Sequence, residues 1–189
     1  MDSVLTMMSS EEQVLVSRAQ AEPAAWTAIY DLYFSRIYNY AMYRLQDAQA
    51  ADDVTAQVFE RLLTRIGSYR PERGSFASWL FTIARNTINS HLRAQKVRQW
   101  VSLDAAEYQL TPSATLEEIT ARDELLARLM GMIARMDERS RDLIALKFGA
   151  GLTNRRIAEL TGLSESNVGV ALYRAISHLR DQIEPVYEG

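Results

Sequence analysis

The chain has 189 residues, 48% hydrophobic and 24% charged, the make-up of a soluble globular protein with room for one ordinary domain or two small ones. It has no cysteine and only two histidines, His91 and His178, so a disulfide framework, a thiolate metal site and an imidazole-rich metal centre are all disfavoured. No apolar run approaches the roughly 20 residues that cross a bilayer, and Met1–Gln20 lacks the basic and apolar regions of a secretory signal; a cytoplasmic location without membrane insertion is expected.

A net charge of -3 and a pI near 5.5 look wrong for a nucleic-acid binder, but the charges are segregated. Between Ser68 and Arg98 stand Arg70, Arg73, Arg85, Arg93, Lys96 and Arg98 against Glu72 alone. Between Gln99 and Glu124 stand Asp104, Glu107, Glu117, Glu118, Asp123 and Glu124 against Arg122 alone. Local fields, not the mean, decide what such a chain binds.

In chain order, Ser10-Glu11-Glu12-Gln13 reads as a capping box opening a short helix to about Gln20. Pro23 suits the first turn of a second helix, whose Trp26, Ile29, Tyr30, Tyr33, Ile37, Tyr38, Ala41 and Leu45 recur by threes and fours. A third is expected over about Ala50–Ile66, with Val54, Val58, Leu62 and Ile66 on one side. The breaker-rich stretch Gly67–Gly74 is a loop, and Ser75 can cap a fourth helix carrying Phe76, Trp79, Leu80, Ile83, Ile88 and Leu92. From about Trp100 to Thr115 the period lapses, the composition turns acidic and Pro112 intervenes, which reads as a linker. Helical order resumes near Leu116. Asp137 can cap the next helix, and two more follow over about Thr153–Leu160 and Ser164–Ile183. No β alternation competes. The expected fold is all-α, two small helical domains joined by a flexible acidic linker, with boundaries at 1–98, 99–117 and 118–189.

The most specific local pattern is Thr153–Val168. Ala158 is the small residue two crossing helices need, Gly162 accepts a positive φ at the turn, Ser164 can cap the second helix, and Val168 points back toward Ile157 and Leu172. This spacing is that of a helix-turn-helix; an ordinary αα-corner shares it. In the former case Glu165, Ser166, Asn167, Gly169, Val170, Ala171 and Arg174 face outward. Asn167 can read an adenine edge, Arg174 can hold a phosphate or guanine, and Arg155 and Arg156 suit backbone phosphates.

The fourth helix and the loop before it combine cations, amides and aromatics: Arg70, Arg73, Phe76, Trp79, Thr82, Arg85, Asn86, Asn89, Arg93 and Lys96. Holding a freed DNA strand calls for cations along its phosphates and aromatics or amides against unstacked bases. Asn86 and Asn89 are poor helix formers in mid-helix, which base contact would explain. Phe76 and Trp79 read equally well as core. The cations lack acidic partners at helical spacing, which favours phosphate contact over a solvated face. No Gly-rich phosphate loop or Ser/His/Asp arrangement suggests catalysis, Asp52 and Asp53 cannot face one substrate from a helix, and neither metal nor cofactor is expected.

From about Glu11 to Glu184 the chain resembles the extracytoplasmic-function (ECF) sigma factors. Ala24–Tyr33 resembles the opening helix of sigma region 2, Ala51–Phe59 its polymerase-binding helix, and Tyr69–Asn86 the segment that melts and reads the -10 element. The helix-turn-helix resembles region 4, which reads the -35 element.

The resemblance implies a non-enzymatic subunit. Asp52, Asp53, Gln57, Phe59 and Glu60 would meet the clamp helices of the largest subunit of core RNA polymerase, with Val54 and Val58 inward. Arg73, Ser75, Phe76, Trp79, Thr82, Arg85, Asn86, Asn89, Arg93 and Lys96 would serve the -10 DNA. Arg155, Arg156, Ser164, Glu165, Ser166, Asn167 and Arg174 would serve the -35 DNA, while region 4 binds the flap of the second-largest subunit. The linker would run near the active-site channel, and an anti-sigma factor would occupy the polymerase-binding surfaces. The chain departs from the family where Gln57 replaces a frequent Glu, and where Gly169 and Ala171 replace frequent basic residues. A DNA-binding repressor or activator dimerising through its first lobe, and a protein-capture module, are the competing readings of the same residues.

Overall fold

The computed structural model describes Glu12, residues 14–101 and residues 121–183. All regular structure among these residues is helical. Helix α1 spans 14–21; of the expected capping box, only Glu12 lies among the described residues. A single 3-10 turn, Pro23–Ala25, leads into α2, Trp26–Leu45. Helix α2 buries Ile29, Tyr33, Ile37, Tyr40, Ala41 and Arg44, one stripe down its length. It ends where Gln46 turns left-handed at φ 57° and its N–H bonds the Met42 carbonyl.

Helix α3, Ala48–Arg65, starts two residues earlier than its apolar period indicates, because Asp47 accepts the Ala50 N–H and caps it. Its inward side is Ala51, Val54, Thr55, Val58 and Leu62. Two 3-10 turns, Ile66–Ser68 and Pro71–Arg73, fill the expected loop. Ser75 then accepts the Ser78 N–H at the start of α4, Phe76–Val101. The helix continues past Arg98, where the apolar period fades. The linker expected from Trp100 onward lies mostly in residues 102–120, outside those described.

The second group opens with α5, Ala121–Ala134, and α6, Glu138–Ile144, capped by Asp137 as anticipated. Helix α6 does not simply stop. It widens into a π turn, Ala145–Gly149, in which the Ala150 N–H reaches back to the Ala145 carbonyl at 2.9 Å. Helices α7, Asn154–Thr161, and α8, Glu165–Ile183, follow.

The buried apolar side chains of both groups form one cluster rather than two. The two expected helical domains are both present, and among the described residues they share a seam. Helix α2 forms it, packing α3 and α4 on one side and the π turn on another. At the closest approach, a Cβ on Gly149 would lie 3.0 Å from the Asn39 carbonyl oxygen and from Tyr40 N and Cα, so a glycine is the residue that lets the two backbones meet.

Candidate nucleic-acid interface

The helix-turn-helix forms as its pattern requires. Thr153 accepts the Arg156 N–H and caps α7. Gly162 ends it at φ 74°, and Ser164 accepts the Asn167 N–H to start α8. Ile157 and Val168 are fully buried in the angle and Leu172 nearly so, which fixes the crossing. Ser164, Glu165, Ser166, Asn167, Val170 and Arg174 are exposed, as expected; Gly169 and Ala171 are half-buried, one on each flank of the Val168, Leu172 and Ala175 stripe, Gly169 facing Asn154 of α7. Arg155 is exposed and pairs loosely with Glu159 at 3.7 Å. Arg156 is half-buried, 3.9 Å from Glu12.

Helix α4 divides its polar surface into two parallel rows. Thr82, Asn86 and Arg93, spaced by a four and a seven, form an exposed row. Ser78, Arg85, Asn89 and Lys96 form the neighbouring row, and each is engaged. Ser78 Oγ donates to Glu159 Oε2 at 3.0 Å. Arg85 Nε donates to Asp142 Oδ2 at 2.8 Å. Asn89 Oδ1 accepts from Arg44 Nη2 at 3.0 Å, and Lys96 Nζ stands 3.6 Å from Glu138. Every acid in this row belongs to the second group of helices. For Arg85 and Lys96 the lack of acidic partners held only along the sequence; the fold supplies them with Asp142 and Glu138 from α6. Asn89, expected to be free for a base, is occupied by a guanidinium.

At the centre is Asp142, 5% exposed. Its Oδ1 accepts the Tyr40 hydroxyl at 2.7 Å and lies 3.1 Å from Arg44 Nη1. Arg44, 2% exposed, also bonds the Glu138 carbonyl at 3.2 Å. A carboxylate this deep persists because two cations and a hydroxyl satisfy it. Burial alone would lower the Arg85 pKa, yet the hydrogen bond and charge of Asp142 outweigh it and raise it. Nearby, Arg36 donates to the Ala150 carbonyl at 2.8 Å and lies 5.1 Å from the centre of the Tyr33 ring.

Of the aromatics left open between core and base contact, Phe76 is buried, edge-on to Tyr33 and Tyr69. Trp79 is half-buried against Tyr69 and Phe76. Arg73 is exposed, and Ser75 is spent as a helix cap. On the far side of the first group, Asp52, Asp53, Gln57 and Glu60 line the outer surface of α3, with Val54 and Val58 fully buried beneath. Phe59 is half-buried among Tyr30 and Phe34, in an aromatic cluster with an exposed edge.

Arg44, Asp142 and Gly149 escaped the sequence reading. Arg44 and Asp142 carried a visible signal, since each interrupts an apolar stripe with a charge, and a charge there needs a partner. Gly149 carried none, because what it meets lies in α2.

Among the described residues no group of three or more His, Asp or Glu could hold a metal ion, and no helix is long and apolar enough to cross a membrane.

Residues 29–98 match the family model of sigma-70 region 2, and residues 126–179 match that of sigma-70, region 4. The chain is 32% identical over 176 residues to the ECF RNA polymerase sigma factor BldN of Streptomyces coelicolor, covering 90% of this chain and 65% of that one. It is 31% identical over 168 residues to the ECF RNA polymerase sigma factor SigL of Mycobacterium tuberculosis, covering 86% of this chain and 90% of that one. Its fold is similar to that of CnrH, solved in complex with the cytosolic domain of CnrY, at a TM-score of 0.69 and 20% identity, covering 92% of this chain and 97% of that one. The chain belongs to the ECF family of RNA polymerase sigma factors.

Proposed function

We propose that this sigma factor brings core RNA polymerase to its promoters through two readers, with residues 1–98 serving the -10 element and residues 118–189 the -35 element, joined by a linker over 99–117. The observation that carries the reading is the polar face of α4. Thr82, Asn86 and Arg93 stand exposed in one row, beside a second row of Arg85, Asn89 and Lys96. Cations alternating with amides fit a separated strand, the cations tracking phosphates and the amides meeting bases. In the second reader, α8 enters the major groove with Asn167 toward base edges and Arg174 toward a phosphate or guanine, while Arg155 and Arg156 rest on the backbone.

The exposed acids of α3, Asp52, Asp53 and Glu60, together with Gln57 and Phe59, dock on the clamp helices of the largest polymerase subunit. The second reader docks on the flap of the second-largest. The chain works in the cytoplasm as a non-enzymatic subunit without a cofactor. By likeness to the sigma factor RpoE, which was solved in complex with the anti-sigma factor NepR from Bartonella quintana, an anti-sigma protein holds it in reserve.

Run-off transcription with core polymerase, followed by mapping of start sites, tests the reading. The wild-type chain should direct discrete starts, and the triple variant Arg85→Ala, Asn86→Ala, Arg93→Ala should still bind core enzyme but open no promoter. Retained promoter opening by the triple variant would turn the reading toward a protein-capture module. Tight binding of duplex DNA by the free chain at moderate salt would turn it toward a conventional repressor or activator.

A further inference from the structure

We propose that α8 reads its groove with apolar side chains, Val170 and Tyr173 closing on the C5-methyl groups of thymines at neighbouring base pairs of the -35 element. The inference rests on the reading of α8 as the -35 helix. It goes beyond that reading in naming two further specificity-determining residues and the base they select.

Helix α8 turns one stripe, Val168, Leu172, Ala175 and Leu179, into the protein. Val170 lies two residues from both Val168 and Leu172, so a helical period of about 3.6 points it almost directly away from that stripe. Its neighbours on the helix surface, three and four residues away, are Ser166, Asn167, Tyr173 and Arg174, and all four are exposed. The valine thus stands at the centre of the face assigned to the groove. It is 47% exposed and Tyr173 69%, although each is a side chain whose burial is favourable. Gly169 and Ala171 flank it in the chain, and side chains this small do not hold the helix backbone away from a base edge.

Charge offers this face little. From Glu165 to Ile176 the helix carries one acid, Glu165, and one cation, Arg174. Selectivity must then come from what the face desolvates. Val170 has no hydrogen-bonding side-chain atom, so a polar base edge beneath it loses water and gains no partner. That penalises the amines of cytosine and adenine and the acceptors of guanine. The C5-methyl of thymine is the apolar group that the major groove presents, and it gains from the same burial. Tyr173 follows three residues later, about 4.5 Å along the helix axis, close to the roughly 3.4 Å between base pairs. Its ring extends the apolar strip to the next pair, while the hydroxyl at its far end keeps water or a phosphate as partner. Asn167, on the other side of Val170, suits an adenine edge, so the strip selects a run of A·T pairs.

The test removes one methyl at a time from the DNA. Start sites are mapped with holoenzyme formed from core polymerase and the full chain. Duplex fragments of that promoter are then made with deoxyuridine, which lacks only the C5-methyl, at single thymines of the -35 element on either strand. Competition binding should show a loss of about fourfold at two adjacent base pairs, the effect of withdrawing one buried methyl group. Holoenzyme carrying Val170→Ala should bind the thymine fragment less tightly and no longer distinguish deoxyuridine at one of these pairs. Tyr173→Ala should do the same at the other, and Tyr173→Phe should keep the wild-type discrimination. Both side chains are exposed, so neither substitution opens a cavity in the fold.

Indifference of the wild-type holoenzyme to every deoxyuridine overturns the proposal, as does a -35 element without thymine, or a methyl effect that Val170→Ala and Tyr173→Ala leave intact. Weakened association of Val170→Ala with core polymerase, with the deoxyuridine profile unchanged, overturns it in favour of a protein-docking face. Those results leave the -35 reading standing where exchanging base pairs in the element still changes binding. Binding that ignores every such exchange removes that reading and the proposal with it. Failure of the wild-type chain to direct any transcript removes the sigma reading as well.

Discussion

The Arg85 guanidinium and the Asp142 carboxylate meet at 2.8 Å although they are 57 residues apart in the chain. Arg85 stands on the helix that faces DNA in the sigma reading, and Asp142 on the helix that leads to the helix-turn-helix. One ion pair therefore joins the two readers. Its strength depends on burial, since an exposed pair contributes at most about 1 kcal/mol, whereas Asp142 lies only 5% exposed between two cations.

The seat beneath this pair predicts opposite outcomes at two glycines. Gly149→Ala places a methyl 3.0 Å from the Asn39 and Tyr40 backbone, where helix backbone cannot yield cheaply, and should cost about 1–3 kcal/mol. Gly131→Ala, on the exposed side of α5 with nothing within 4 Å of the added carbon, should instead stabilise by about 0.5–1 kcal/mol. Urea denaturation of the two variants reads both signs. Equal effects would mean that the close approach at Gly149 carries no weight.

Tyr40 gives the seam an alkaline limit. Burial, and then the charge of Asp142, push its phenol well above the ordinary value of 10.0. The unfolded chain therefore releases this proton first as pH climbs past that value, and stability falls through the window above it. Tyr40→Phe should remove this slope. It should also cost about 1–3 kcal/mol at neutral pH, because Asp142 loses a donor. Denaturation midpoints measured from neutral to strongly alkaline pH test both parts.

At the other extreme, Asp137 predicts an acid-sensitive start to α6. Hydrogen bonds from the Ser140 side chain and backbone hold its carboxyl below the ordinary 3.8. The stabilisation is thus complete above that value and lost as pH falls through the lower folded one. Asp137→Ala should cost about 1 kcal/mol and Asp137→Asn less, since the amide still accepts at the cap. A variant whose stability matches wild type at neutral pH would remove the cap from the account of why α6 begins there.

On α8 and α7 the expected effects separate by kind. Asn167→Ala should relax preference at a single -35 position by about 1–3 kcal/mol. Arg155→Ala should weaken binding evenly across sequences and lower the salt slope by about one. Competition binding of the polymerase holoenzyme to promoter variants at several salt concentrations distinguishes them. An even loss with Asn167→Ala would reassign that residue to the backbone.

What could be read beforehand follows the range of each interaction. Caps are local, so Ser75, Asp137 and Ser164 were legible from a residue type and its spacing to a following helix, and the structure places each at its cap. The stripes of α2 and α3 and the angle of the helix-turn-helix follow from periods of three and four. Asp47 was missed because Ala48, Gln49 and Ala50 add no apolar period after it. The seam was hidden for a different reason. Asn89 and Arg85 take partners from α2 and α6, and no spacing within α4 encodes a neighbour that arrives from another part of the chain.

The Gly149 seat ties the drift of one half to the other. Any change that shifts the α2 backbone by even part of an ångström near Tyr40 must be accommodated at a position more than a hundred residues later, where no side-chain atom is available to trim. Exchanging halves between related factors should therefore fail more often at this join than at either DNA-facing surface, and chimaeras that keep α2 together with the segment from Asp142 to Ala150 should be the ones that assemble.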